Sequence, residues 1–198
     1  ARMSGVSAAR GEYILFLDGD DALAPDMCES LLAQLDSDPV DMLHFGITVV
    51  GANGILQSEL NSFREYNNRP IPVMKGDEIV RSSFDPSRGF CVDWRFTQRV
   101  YDAALIKRAF SLMPNRRLTR TEDGYEYLVT ASLANTYRSC KEVDGYIYYY
   151  GRGITGTSRL DAAEFGQHCS QFKDNFDAAY AYAGSRESLL LRDCARGF

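Results

Sequence analysis

Histidine and tryptophan are scarce in these 198 residues, with two of the first and one of the second. The five cysteines, Cys28, Cys91, Cys140, Cys169 and Cys194, stand far apart and form no C-x-x-C pair. So few histidines and such scattered thiols exclude a Cys/His zinc site. An odd, separated set reads as reduced thiols in a cytoplasmic protein rather than a disulfide framework. No apolar run approaches the ~20 residues of a membrane span, and no signal peptide is visible. A basic excess is missing too: 22 Lys and Arg face 27 Asp and Glu, for a net charge of −5. A general nucleic-acid binder lacks its first sign here. With no biased tract or internal repeat, the chain reads as a folded globular domain long enough for its own core.

What is present is organised as alternating strands and helices. Tyr13 to Leu17 is a continuous apolar run ended by acidic residues, as in a strand covered on both faces of an α/β sheet. Gly5 to Arg10 before it suits the end of a packed helix. Met27, Leu31, Leu32 and Leu35 recur at helical spacing, with Pro25 at the first helical position and Asp38-Pro39 as the stop. Asp41 to Val50 reads as a strand that turns through Ala52-Asn53-Gly54 into Ile55-Leu56. Residues 58–74 read as a long polar loop. A short helix around Asp77–Ser83, a strand from Cys91 to Val100 and a helix from Ala103 to Phe110 follow. Thr119-x-x-Glu122 has the pattern of a capping box opening a helix to about Ala134. Thr136 to Tyr150 has strand character, Gly151 to Ser158 is a glycine-punctuated loop, and Ala162 to Ala183 and Ser185 to Ala195 read as helices. The first of these two is most simply a packing helix through Phe165, Cys169, Phe172, Phe176 and Tyr180. Its apolar stripe would otherwise meet a partner.

Chemistry concentrates at Asp18-Gly19-Asp20-Asp21, directly after the first strand. Ligands of open α/β sheets bind beyond the carboxyl ends of strands. Like charges this close are costly unless a cation or hydrogen bonds compensate. Asp18 and Asp20 flank a glycine and can aim at one Mg²⁺ or Mn²⁺, which completes its shell with water and substrate phosphates. Alternatively, Asp20 or Asp21 caps the next helix or decorates a turn. Spacing alone leaves both open, but an EF-hand is excluded because Leu23 stands where its glycine must be.

The stretch from Ala1 to Asp21, ARMSGVSAARGEYILFLDGDD, resembles without gaps the signature of family 2 glycosyltransferases. In that family A-R-N-x-G leads through G-E-Y-I into F-L-D-x-D-D. Met3 stands here in place of the Asn. The resemblance implies a nucleotide-diphospho-sugar transferase fold: GT-A, Rossmann-like, an α/β three-layer sandwich. It implies that Asp18 and Asp20 hold Mn²⁺ or Mg²⁺, and that Arg2, Asp20 and Asp21 serve the donor diphosphate. Because the chain opens inside the signature, it reads as the later part of a catalytic domain (residues 1–160) whose first half of the sheet is missing. Residues 161–198 would then be a C-terminal helical extension.

Glu122-Asp123 looks like the family's Glu-Asp pair, whose Asp is the general base. An inverting transfer needs a carboxylate to take the acceptor hydroxyl's proton. An ordinary Asp, with pKa ~3.9, needs positioning for that task. By residues alone, acidic side chains in a first helical turn also simply stabilise the helix. The resemblance assigns Asp123 as base and places Glu122 on the acceptor side. Trp94, within a similar Asp93-Trp94-Arg95-Phe96 segment, either stacks on an acceptor sugar or belongs to the core. Arg152, in a stretch resembling the family's Y-x-Y-R, either neutralises diphosphate or sits in a solvent-facing turn.

The expected partners are a nucleotide-diphospho-sugar donor and a saccharide or lipid-linked acceptor for a cell-surface polysaccharide. Nucleic acid is not expected, and peripheral membrane association would arise from regions outside this stretch. Localisation is expected to be cytoplasmic, at the inner face of the membrane. A nucleotidyltransferase would share fold and metal but wants a glycine-rich, lysine-bearing phosphate loop, which the sequence lacks. A non-catalytic domain keeping the fold is the other alternative.

Overall fold

The computed structural model describes residues 1–85, 87–88, 92–152 and 161–197. Helix α1 (Arg2–Ala8) leads into strand β1 (Tyr13–Leu15), and a tight turn then leads into strand β2 (Ala22–Leu23). Helix α2 (Met27–Ser37), strands β3 (Met42–Phe45) and β4 (Ile47–Gly51), helix α3 (Gln57–Asn68), strand β5 (Met74–Lys75) and helix α4 (Asp77–Phe84) follow. A 3₁₀ turn at Phe96–Gln98 opens into strand β6 (Arg99–Asp102) and helix α5 (Ala103–Ser111). The remainder is helix α6 (Glu122–Ala131), strands β7 (Thr136–Cys140) and β8 (Tyr146–Tyr150), and helices α7 (Ala162–Ser185) and α8 (Leu189–Arg196).

The main sheet has the order β1-β6-β3-β7-β5, with β3 and β7 parallel and the other three pairings antiparallel. Residue alternation along each strand sends side chains to opposite faces, and two cores result. On one face Ile14, Met42, Tyr101 and Tyr137 meet α1, α4, α5, α6, α7 and α8. On the other, Leu43, Phe45, Val100 and Cys140 meet Met27, Leu31 and Leu35 of α2. Each of these large buried side chains contributes about 1.5–3 kcal/mol. The expected α/β three-layer arrangement of helix, sheet and helix is therefore present.

A second sheet, β2-β8-β4, carries the chain beyond the end of the first, with β4 and β8 parallel. The strand expected over 41–50 is thus two strands in different sheets, divided at Gly46. A Cβ there would lie 2.3 Å from the Lys141 carbonyl, so only glycine passes. Asn68 imitates a backbone strand at this point, accepting from the Ile47 N–H and donating to the Ile47 carbonyl, each at 2.8 Å. The same division separates β7 from β8.

Five other expectations need correction. Residues 58–74 are not a loop, because 57–68 form α3. Its Leu60 packs against Gly51, and Phe63 stacks at 5.3 Å on Tyr148, so tertiary contacts override a polar composition. The turn at Ala52–Gly54, with Gly54 at φ 90°, leads to α3 and not to a partner strand, since β4 pairs with β8 instead. The strand expected from Cys91 begins only at Arg99, after the 3₁₀ turn; Cys91 itself lies outside the described residues. Finally, α7 packs by its small face. Asn175, Ala178, Ala179, Tyr182 and Ala183 are buried, and Phe165, Phe172, Phe176 and Tyr180 stay exposed. Alanines allow a close approach that an aromatic stripe prevents. Helix α2 opens at Met27, two residues past Pro25.

Candidate functional site

The acidic turn sits at the carboxyl end of β1. The Asp21 N–H donates to the Asp18 carbonyl at 3.1 Å, closing a tight turn with Gly19 and Asp20 exposed at its tip. The three carboxylates have different surroundings. Asp18 is half-buried, and loss of water raises its pKa above the usual value. Arg2 opposes that rise, while Asp123, Asp21 and Asp20 add to it. Asp21 is turned towards β8: Oδ2 accepts from the Tyr146 hydroxyl at 2.8 Å and Oδ1 from the Tyr149 N–H at 3.0 Å. Asp20 is exposed and makes no hydrogen bond or ion pair with another described residue.

Arg2, on α1, joins this turn to the start of α6. Its guanidinium lies 3.5 Å from the Asp18 carboxylate, contacts Asp123 Oδ1 and reaches Glu126 Oε2 at 2.5 Å. Burial works against the cation, but Asp123 and Glu126 outweigh it and raise its pKa further. Glu126 is less relieved, since burial exceeds the pull of Arg2 and pushes its carboxyl up to about 7. The other oxygen of Asp123 accepts the Phe96 N–H at 3.2 Å. Arg99, fully buried, braces that segment by donating to the carbonyls of Asp93 and Arg95.

Helix α6 does not begin with the expected capping box. Glu122 is its first residue, and Thr121 precedes it with no side-chain cap. Arg120 and Thr121 are both left-handed, at φ 54° and 58°. Non-glycine residues held there cost about 1–3 kcal/mol each. The Thr119 carbonyl accepts from Asn175 at 3.0 Å instead of starting the helix.

Other predicted residues fall around this centre. Glu122 lines a cavity of about 880 Å³ together with Arg2, Ser4, Arg116, Arg117 and Glu126. Trp94 is 38% exposed, which removes it from the core and leaves a ring open to solvent. Arg152 is exposed and lies 4.1 Å over the Tyr149 ring, whose backbone N–H holds Asp21. The loop from Gly153 to Ser158 lies outside the described residues. Thus Arg2 meets both Asp18 and Asp123, Asp21 and Arg152 are linked through β8, and Asp20 has no hydrogen bond or ion pair to another described residue.

Glu126 and Phe96 were missed by sequence reasoning. Glu126 was within reach of it: three positions after Asp123 on a helix, it must share the same face. The Phe96 N–H had no such signal, being a backbone group brought in by the 3₁₀ turn. For a divalent cation, the fit is that of an open turn. Among the described residues no three His, Cys, Asp or Glu side chains gather as a metal-binding group. Asp18 and Asp20 would supply two hard oxygens, the number with which Mg²⁺ or Mn²⁺ is held when phosphates complete its shell.

Residues 1–105 match the family described as Glycosyl transferase family 2. Over 169 residues the chain is 28% identical to the succinoglycan biosynthesis protein ExoO of Rhizobium meliloti, covering 81% of this chain and 44% of ExoO. The fold matches that of S. aureus TarS residues 1–349 crystallised with UDP-GlcNAc, at a TM-score of 0.58 and 19% identity. That alignment covers 92% of this chain and 45% of TarS 1–349. A second TarS 1–349 structure matches at a TM-score of 0.51 and 17% identity. The chain therefore has the GT-A fold of TarS, and it spans less than half the length of the first of these relatives.

Proposed function

The chain belongs to glycosyl transferase family 2, and from that premise we propose that it carries the diphosphate-gripping and proton-accepting parts of a sugar-transfer site. The donor is a nucleotide-diphospho-sugar, the acceptor a hydroxyl of a saccharide or lipid-linked saccharide, and the product a cell-surface polysaccharide. One observation carries the reading: Arg2 ties Asp18 of the acidic turn to Asp123 at the head of α6. Two groups remote in sequence, and of the types this chemistry needs, therefore share one centre. The succinoglycan role of ExoO and the UDP-GlcNAc bound to TarS support the polysaccharide and nucleotide-sugar classes.

Asp18 and Asp20 would hold Mn²⁺ or Mg²⁺, which when bound offsets the charge of the departing diphosphate. Asp123 takes the acceptor proton as the acceptor oxygen bonds to the anomeric carbon and the bond from that carbon to the diphosphate breaks. Attack opposite the leaving group inverts the configuration. Asp123 Oδ1 is engaged by Arg2, so Arg2 must give it up before the proton arrives. A diphosphate offers that guanidinium a denser anionic partner. Arg152, exposed beside Tyr149, is a second cation for it, and the open ring of Trp94 gives an acceptor sugar a face to stack on. Glu122, on the cavity wall, offers an acceptor for a sugar hydroxyl.

We place the reaction on the cytoplasmic side, at the membrane face when the acceptor is lipid-linked. Among the described residues no helix is long and apolar enough to cross a membrane. The test is turnover of the full-length protein with labelled UDP-GlcNAc, UDP-glucose and UDP-galactose in the presence of Mn²⁺. Asp123→Asn is expected to lower turnover about 10³-fold, within the range of a lost general base. Unchanged turnover would remove Asp123 from the mechanism.

A further inference from the structure

The head of α6 is held in a conformation that its own residues disfavour. Arg120 and Thr121 are consecutive left-handed residues, and Thr121 is β-branched, the class least tolerant of that region. Such geometry persists only where surroundings impose it. Here the surroundings are α7. Asn175 is fully buried, and its Nδ2 donates to the carbonyls of Thr119 at 3.0 Å and Arg120 at 2.7 Å. The same nitrogen reaches Gln171 of its own helix at 3.0 Å, so the carbonyls around it define which end of the amide is the donor. Just outside, Arg116 donates to the Asp174 carbonyl at 3.0 Å. Two adjacent positions of α7 thus grip the segment 116–120.

A buried amide on an otherwise alanine-rich face is costly unless it satisfies something. What it satisfies is the pair of carbonyls that the left-handed turn directs inwards. That turn sets the direction in which α6 begins, and Asp123 is the second residue of the helix. The direction in turn aims Asp123 at the Phe96 N–H and at Arg2.

We propose that Asn175 is a positioning residue for Asp123, acting through the strained turn at Arg120–Thr121. This rests on Asp123 being the base and goes beyond it by giving α7, outside the matched residues 1–105, a part in the site. The experiment uses the full-length protein and UDP-GlcNAc, with UDP-glucose and UDP-galactose as alternative donors. Asn175→Ala is expected to lower kcat about ten-fold or more while donor KM stays within about two-fold, because the base is displaced and donor contacts are not. Amide hydrogen exchange at Glu122 to Glu126 is expected to quicken in the same protein.

Adding Thr121→Gly, which enters the left-handed region without a Cβ clash, is expected to return kcat to within about three-fold of the parent. A role in folding alone would lower the melting temperature and leave kcat of the folded protein unmoved. Where Asn175→Ala alone fails to fold, the same comparison is made in the Thr121→Gly background. Here glycine relieves the strain, so kcat of the double variant is expected within about three-fold of Thr121→Gly alone, and a larger fall overturns the proposal. Asp123→Asn, run alongside, separates the two ideas. If it abolishes turnover while Asn175→Ala leaves kcat intact, or if glycine fails to restore kcat, the positioning role is wrong and the base assignment stands. If Asp123→Asn turns over normally, both fall.

Discussion

The turn after β1 and the head of α6 each present carboxylates to one arginine, but they are built in opposite ways. The turn is local: an i to i+3 backbone bond closes it, a glycine and Asp20 occupy its exposed tip, and none of its residues has positive φ. The head of α6 is imposed from elsewhere. The left-handed Arg120 and Thr121 precede it, Asn175 holds the carbonyls of Thr119 and Arg120, and Arg2 and the Phe96 N–H occupy Asp123. An open turn can exchange water, cation and phosphate with little rearrangement. A carboxylate that must accept a proton at one place needs a fixed direction, and fixing it draws on residues across the fold. The contrast predicts that the two regions respond differently when their shared partner is altered.

Removing that partner should have the largest effect. Arg2→Ala leaves Asp123 and Glu126 side by side, only 20% and 14% exposed, without a counter-ion. Breaking such a pair is expected to cost about 3 kcal/mol, less than the upper range for full burial because water reaches the group. Equilibrium denaturation measures it, and the loss should appear on the α6 side. Equal protection from hydrogen exchange at α6 in the variant and parent would show that Arg2 does not hold this end together.

Glu126 sharpens the comparison through pH. Its carboxyl is raised from 4.5 to about 7, so the folded chain holds a proton that the unfolded chain releases across this window. Stability from this group is therefore present below about pH 4.5 and falls as pH rises towards 7, the reverse of an ordinary ion-paired carboxylate. Glu126→Gln should flatten that fall, read as melting temperature against pH from 4.5 to 7.5. A parent slope that survives the substitution would assign the titration to another group.

The difference between the regions also explains which of them was legible in sequence. Residues 13–21 run consecutively through strand and turn, so a single reading frame carried the strand, the glycine and the acidic motif. Met27, Leu31 and Leu35 of α2 were equally legible, being one periodic stripe. Asn175 was not. Its worth lies in carbonyls 55 and 56 positions upstream, and amphipathic periodicity gave the aromatic face of α7 more weight than the alanine face that packs. Helix α3 was hidden for a related reason, since Phe63 and Leu60 find their partners on β4 and β8, outside any local window. Asp123 was recognised from its motif, but its pairing with Arg2 became evident only when helix α1 met α6.

The smallest effect on stability is expected at Asp20, and it is the most informative about the turn. Unlike Asp21, whose two oxygens fasten the turn to β8, Asp20 makes no hydrogen bond or ion pair with another described residue. It adds, as the smallest of the named contributions, to the raised pKa of Asp18, a repulsion that neutral asparagine relieves. Asp20→Asn should therefore leave unfolding free energy within about 0.5 kcal/mol of the parent, or slightly above it. Calorimetry of the full-length protein with Mn²⁺ and UDP-GlcNAc should then show the opposite sensitivity, with Mn²⁺-dependent donor affinity falling about ten-fold or more as one of two hard oxygens is lost. If both quantities are unchanged, the tip of the turn is decoration and the cation is held elsewhere. If stability drops instead, Asp20 belongs with Asp21 among the residues that build the fold.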